Sequence, residues 1–179
     1  ILVCISSVPD TTSKINFTAD KSAFDKNGIQ WVINPLDEFA LTKAIKLQES
    51  QGATVTVANV GDVATEAVIR KALAIGANDA VRVNVEPKDS FSVAKEIGNI
   101  AQIGGYDLIL CGKESIDYNG GAVPGMVAQL LNQPFVNGCV GLEVNGSEAT
   151  AVREIDGGKE TISVKLPAVI AGQKGMVDE

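Results

Sequence analysis

The sequence predicts an α/β fold: a doubly wound, Rossmann-like parallel sheet with antiparallel hairpin additions. Three observations carry this expectation. Short β-branched or apolar runs at 1–8, 53–60 ("ATVTVANV") and 106–111 ("YDLILC") each end in turn-prone residues and are each followed by a polar loop and a helix-period segment. Strand and helix in alternation imply right-handed crossovers and a parallel sheet. Hydrophobic residues make up 45% of the 179 positions but aromatics only 4%, so the core must be built from Val, Ile, Leu and Ala, as in a sheet covered on both faces.

The elements follow in order. After the first strand, Asn34 can cap and Pro35 can start a helix whose apolar stripe is Leu36, Ala40, Ala44 and Leu47, with Gly52 as its stop. The next helix repeats the spacing with Ala64, Val68, Ala72 and Ile75, closed by Gly76. A fourth strand is expected at 79–85, leading through Pro87 to a helix with Val93, Ile97, Ile100 and Ala101 inward. Two stretches depart from simple alternation. Residues 14–33 read as a hairpin inserted between the first strand and first helix, and "TAVREIDGGKETISVKLPAVIAG" reads as two alternating strands across a "DGG" turn, then an apolar strand after Pro167. These are expected to be antiparallel additions or a small lid. Nothing marks a second domain, so residues 1–179 are expected to form one unit.

Composition excludes several functions. A net charge of -7 argues against nucleic acid and anionic membranes as partners. The absence of histidine removes Ser-His-Asp and Cys-His catalysis and His-ligated metal together. The three cysteines, Cys4, Cys111 and Cys139, lack CxxC spacing and read as buried thiols of a reducing compartment. The chain opens on "ILVCISSV" without a basic leader and holds no apolar run long enough to span a membrane, so a soluble cytoplasmic protein is expected.

Ligands of doubly wound sheets bind at the carboxyl ends of the strands. The loops beginning near Ser7, Asn59 and Gly112 should therefore converge there, and "GKESIDYNGGAVPGM" at 112–126 is a glycine-rich turn entering a helix, the kind of place where a phosphate is held. The alternative is a plain connection, because Asn119-Gly120 and Gly120-Gly121 are ordinary turn dipeptides.

Four motifs in order, "VPDT" at 8–11, "NPLDEFALTKAIKL" at 34–47, "GKESID" at 112–117 and "VREIDGGKETISVKLPAV" at 152–169, closely resemble the electron transfer flavoprotein beta subunit over nearly the whole chain. The resemblance implies an adenine nucleotide alpha hydrolase-like fold and a heterodimer with an alpha subunit whose FAD carries electrons between flavin dehydrogenases and an acceptor. It further implies that the beta subunit has no catalytic side chains and binds AMP or, in electron-bifurcating members, FAD in the same pocket. "VPDT" resembles the form of those bifurcating members. A freestanding nucleotide sensor like the universal stress proteins shares the fold, but has no reason to carry "DGGKET…LPAV". The family's C-terminal arm is absent from this sequence, which ends at "QKGMVDE".

Asn59, Val60 and Gly61 end the second strand and are expected by that position to line the same pocket, while the resemblance points to Val8 and Pro9 beside a ring and to Asn34 near the nucleotide. It points also to Gly112, to Asp117 on a ribose hydroxyl, and to Gly120, Gly121, Ala122 and Val123 around the phosphate. The family's Asn-Gln-Thr run is replaced here by Gly121, Ala122 and Val123, so the expected donors are backbone N–H groups. Simpler readings stand beside these: Asn34 and Asp117 as helix caps, "VPD" as a turn, Lys113 as a solvated lysine rather than a phosphate ligand.

Overall fold

The structure is a computed structural model and describes residues 1–177. Ten strands and four helices run in the order β1 (Leu2–Cys4), β2 (Ser7–Pro9), β3 (Trp31–Ile33), α1 (Pro35–Gln51), β4 (Thr56–Val60), α2 (Glu66–Ile75), β5 (Asp79–Val83), α3 (Ser90–Gly104), β6 (Leu108–Gly112), α4 (Val123–Leu131), β7 (Phe135–Asn145), β8 (Glu148–Ile155), β9 (Gly158–Lys165) and β10 (Ala168–Gly172).

The eight-stranded sheet has the order β5-β4-β1-β6-β10-β7-β8-β9. Its pairings are parallel from β5 through to β7, while β8 pairs antiparallel with both β7 and β9. The chain moves outward from β1 through β4 to β5 and then returns to place β6 on the other side of β1. That reversal puts the topological switch point at the carboxyl ends of β1 and β6, where a crevice must open.

Helices cover both faces, as expected. Ala40, Leu41, Ala44 and Leu47 of α1 and Val68, Ile69 and Ala72 of α2 bury against Val3, Val55, Val57, Leu110 and Ile170 on one side. Ala94, Ile97 and Ala101 of α3 and Val127 and Ala128 of α4 bury against Leu2, Cys4, Ala58, Ile109 and Cys111 on the other. Alternate residues of each strand thus serve opposite cores, which is why the strands read as continuous apolar runs.

Local chemistry sets the helix ends. Pro35 occupies the first turn of α1, and Gly52 ends it in the left-handed region at φ 73. In α3 a capping box closes the start: Asp89 accepts from the Ser92 N–H at 2.7 Å, and the Ser92 hydroxyl accepts from the Asp89 N–H at 3.1 Å. The second helix is shorter than its stripe suggests, because Asp62 caps a separate 3-10 turn at Val63–Thr65 and Ala64 falls in it.

Three expectations are corrected. The 1–8 run is two strands, since β2 leaves the sheet at Ser6 and pairs antiparallel with β3, joining Val8 to Val32. "GIQWVI" therefore pairs with residues 7–9 rather than with "KINFTAD", which turns back on the residues that follow it through a Phe17–Phe24 bridge. The strand after Pro167, β10, is no antiparallel addition: it inserts between β6 and β7, parallel to both. Finally, β7 went unread in the sequence.

Candidate functional site

The crevice at the switch point is a cavity of about 580 Å³. Its construction starts from Asp37, in the first turn of α1 and buried. The Asp37 carboxylate accepts from the Ser6 N–H beyond β1 at 2.8 Å and from the Gly112 N–H ending β6 at 2.8 Å. One side chain thus ties two strand ends to the start of a helix. Burial pushes the Asp37 carboxyl up to about 7, against those two donors, which favour the charged form.

Asn34 holds the opposite lip. It makes no side-chain cap on α1. Its Nδ2 instead donates to the Glu114 carbonyl at 2.9 Å, and its Oδ1 accepts from the Ile116 N–H at 3.2 Å, so it pins the 113–120 loop from 80 and 82 residues away in the chain. Asn34→Ala leaves both loop groups without a partner. The expected result is a loss of about 2 kcal/mol of stability and at least roughly tenfold faster hydrogen exchange of the Ile116 amide, measured against the wild-type protein.

The walls differ in character. Toward α3 and α4 lies an apolar slot made by Ala58, Val60, Val93 and Ile97 with Cys4 and Cys111 at its base. Toward α1 and α2 stands Asn59, whose Nδ2 donates to the Ile5 carbonyl at 2.9 Å while its buried Oδ1 has no partner. The Ser115 hydroxyl, also on the cavity wall, is the second such orphan there. A Cβ on Gly61 would lie 2.6 Å from Thr65 Cγ2 and 3.1 Å from Asn59 Oδ1, so both side chains would have to shift to admit it. At the start of α4 the lining residues are Val123 and Pro124, and because proline has no N–H the backbone donor offered there is that of Val123. The lining side chains include one lysine, Lys26, against Asp62, Glu86, Glu114 and Asp117.

Of the residues named from the sequence, Asn34, Asn59, Val60, Gly61, Gly112, Asp117, Gly120 and Val123 all line this cavity. The other four stand apart from the lining. Val8 and Pro9 are strand residues of the two-stranded sheet, Val8 fully buried and Pro9 partly, while Gly121 and Ala122 are exposed. Asp117 caps no helix; its Oδ1 accepts from the Tyr118 N–H within the turn. The left-handed residue of the loop is Asn119, at φ 56, and neither Gly120 nor Gly121 adopts a positive φ. Sequence reading missed Ser6, Asp37 and Thr65. Asp37 left the faintest trace, since an acid in a first helical turn is ordinarily a solvated partner of the helix dipole.

Among the described residues no group of His, Cys, Asp and Glu could hold a metal, and no helix is long and apolar enough to cross a membrane.

Comparison with known proteins agrees with this architecture. The family model described as electron transfer flavoprotein domain matches residues 22–179. Relatives named electron transfer flavoprotein subunit beta include one from Bacillus subtilis, 35% identical across 98% of this chain and 69% of its own length. Another, from Syntrophomonas wolfei, is 38% identical across 97% of this chain and 69% of its own length. A mitochondrial one from Oryza sativa subsp. japonica is 36% identical across 95% of this chain and 70% of its own length. With a family model over most of its residues and relatives of this identity along nearly its whole length, the chain belongs to the electron transfer flavoprotein beta-subunit family.

Proposed function

We propose that this chain is the nucleotide-binding subunit of an electron-carrying heterodimer, paired with an alpha subunit and holding AMP in the switch-point cavity as a structural ligand. The observation that carries this reading is the cavity itself. It joins an apolar slot fit for a planar base, two buried polar atoms still lacking partners, and a helix N-terminus suited to a phosphate.

The chain's residues divide the work. Ala58, Val60, Val93 and Ile97 bury the faces of the base, and Asn59 Oδ1 and Ser115 Oγ offer hydrogen bonds to its edge or to the ribose. Asp117, on the cavity lining, would accept from a ribose hydroxyl. Gly120 and Val123 bring the backbone of the loop and of α4 to the phosphate, whose charge the acidic rim would otherwise repel. Asp37 and Asn34 touch the loop and strand ends and keep them at one spacing.

FAD in the alpha subunit would supply the one- and two-electron chemistry between flavin dehydrogenases and an acceptor. In this reading the chain orients the nucleotide and excludes water from it, and the electron transfer takes place at the flavin. The deciding experiment co-expresses the chain with its alpha subunit, denatures the purified complex and identifies the released nucleotides by mass spectrometry. One AMP and one FAD per heterodimer is the expected result. Two FAD and no AMP would assign the cavity to a second flavin and the chain to an electron-bifurcating role, and the absence of any adenine nucleotide beyond the alpha subunit's FAD would defeat both.

A further inference from the structure

The nucleotide reading leaves two buried nucleophilic groups unexplained. Cys4 ends β1 and Cys111 lies one residue from the end of β6, and the parallel register that sets Leu2 beside Ile109 and Val3 beside Leu110 brings Cys4 beside Cys111. Both side chains point to the same face, into the core shared with α3 and α4. Facing residues on neighbouring strands have Cα atoms about 4.8 Å apart. A disulfide spans roughly 4.4 to 6.8 Å between Cα atoms, so the backbone need not move to accommodate one.

Access is restricted to one route. Cys4 is 7% exposed and Cys111 3%, and both line the floor of the cavity. An oxidant reaches them through the slot that the base of a nucleotide would fill. The third cysteine, Cys139, lies in the other core, across the sheet.

We infer that Cys4 and Cys111 are a redox pair built into the cavity floor, able to close to a disulfide when the cavity is empty and shielded when it is filled. In that step the two thiols lose two electrons and two protons and one S–S bond forms. A small disulfide of the glutathione type takes up the electrons and protons and is cleaved to two thiols. Hydrogen bonding to Cys4 and burial push the Cys111 thiol well above its ordinary value, so its thiolate is scarce and the pair reacts slowly even when reached.

The shielding part rests on the proposed nucleotide site; the closure itself does not. The test treats the full-length protein, freed of nucleotide, with diamide, whose N=N bond accepts the two electrons and two protons. Intact mass and peptide mapping then follow the product. A loss of two hydrogens, a Cys4–Cys111 cross-linked peptide and reversal by dithiothreitol are expected, with Cys139→Ser unaffected. Native protein that keeps both thiols under conditions oxidising the guanidinium-unfolded chain would overturn the inference, as would a cross-link through Cys139. Calorimetry then measures AMP binding separately. If AMP binds, saturation should slow closure at least roughly tenfold, and an unchanged rate would refute the shielding. If AMP does not bind, the nucleotide reading fails while closure is still judged on the mass result.

Discussion

Raising the pH from about 5 to about 8 should cost the wild-type fold roughly 3 kcal/mol of unfolding free energy at one side chain, Asp37. Burial raises its carboxyl to about 7 in the folded state, from an ordinary value of 3.8. Between those values the folded chain holds a proton that the unfolded chain releases. The contribution of Asp37 is therefore complete below about pH 4 and is lost as the pH rises through 7. The sign is opposite to that of an ordinary carboxylate such as Asp89, whose hydrogen bonds to Ser92 lower its value.

With no histidine in the chain, the usual titrant of this window is missing, and the effect of Asp37 is easier to isolate. Asp37→Asn removes the titration. It also turns an amide NH2, which cannot accept, toward one of the two N–H groups, where the protonated carboxyl of the wild type keeps an oxygen that can, so at pH 5 the variant should be less stable by about 2 to 3 kcal/mol. The gap should close toward pH 8, as the wild type loses its proton and the variant does not follow. Urea unfolding of both proteins at several pH values checks this. Parallel pH profiles would show that Asp37 ionises in the folded state as readily as in the unfolded chain.

What was legible in the sequence was what periodicity and punctuation encode. Gly52 and Gly76 end helices because each follows an apolar stripe, and the "DGG" turn predicts β8 and β9 because the strands on either side alternate. The hidden features depend on partners distant in sequence. In β7 the stretch "FVNGCVGLEV" carries two glycines and a register shift between Cys139 and Gly141, which break the period a reader would follow. The Ile5–Ser6 break in an otherwise continuous run reflects β3 arriving from another part of the chain to capture Ser7–Pro9. Asn34 looks like a cap because caps are local, whereas its true partners, Glu114 and Ile116, are brought to it only by the return of β6. The cavity was located correctly because carboxyl ends follow from topology alone. The bracing by Asn34 and Asp37 depends on partners that only the folded chain brings together.

Gly112 is expected to tolerate no side chain at all, and Gly112→Ala should destabilise the fold by about 3 kcal/mol or more. The reason is close approach rather than backbone conformation, since Gly112 has no positive φ. A Cβ at this position would lie 2.7 Å from the Leu36 carbonyl carbon and 2.8 Å from the Asp37 nitrogen, and would also collide with Asp37 Oδ1. Two of these atoms are the backbone of the first turn of α1, which cannot rotate away as a side-chain tip can. Relief would require α1 to lift from β6, breaking the 2.8 Å bond from the Gly112 N–H to Asp37 and widening the cavity at its base. Gly121→Ala, in the same loop system, is the control: its Cβ would meet only the Lys113 carbonyl oxygen at 3.3 Å and Glu114 Cβ at 3.8 Å, a contact that small adjustments relieve for less than about 1 kcal/mol. Chemical denaturation of the two variants side by side should therefore separate them by about 2 kcal/mol or more. Equal midpoints would mean that α1 is not held against the end of β6 as tightly as the Asp37 hydrogen bonds require.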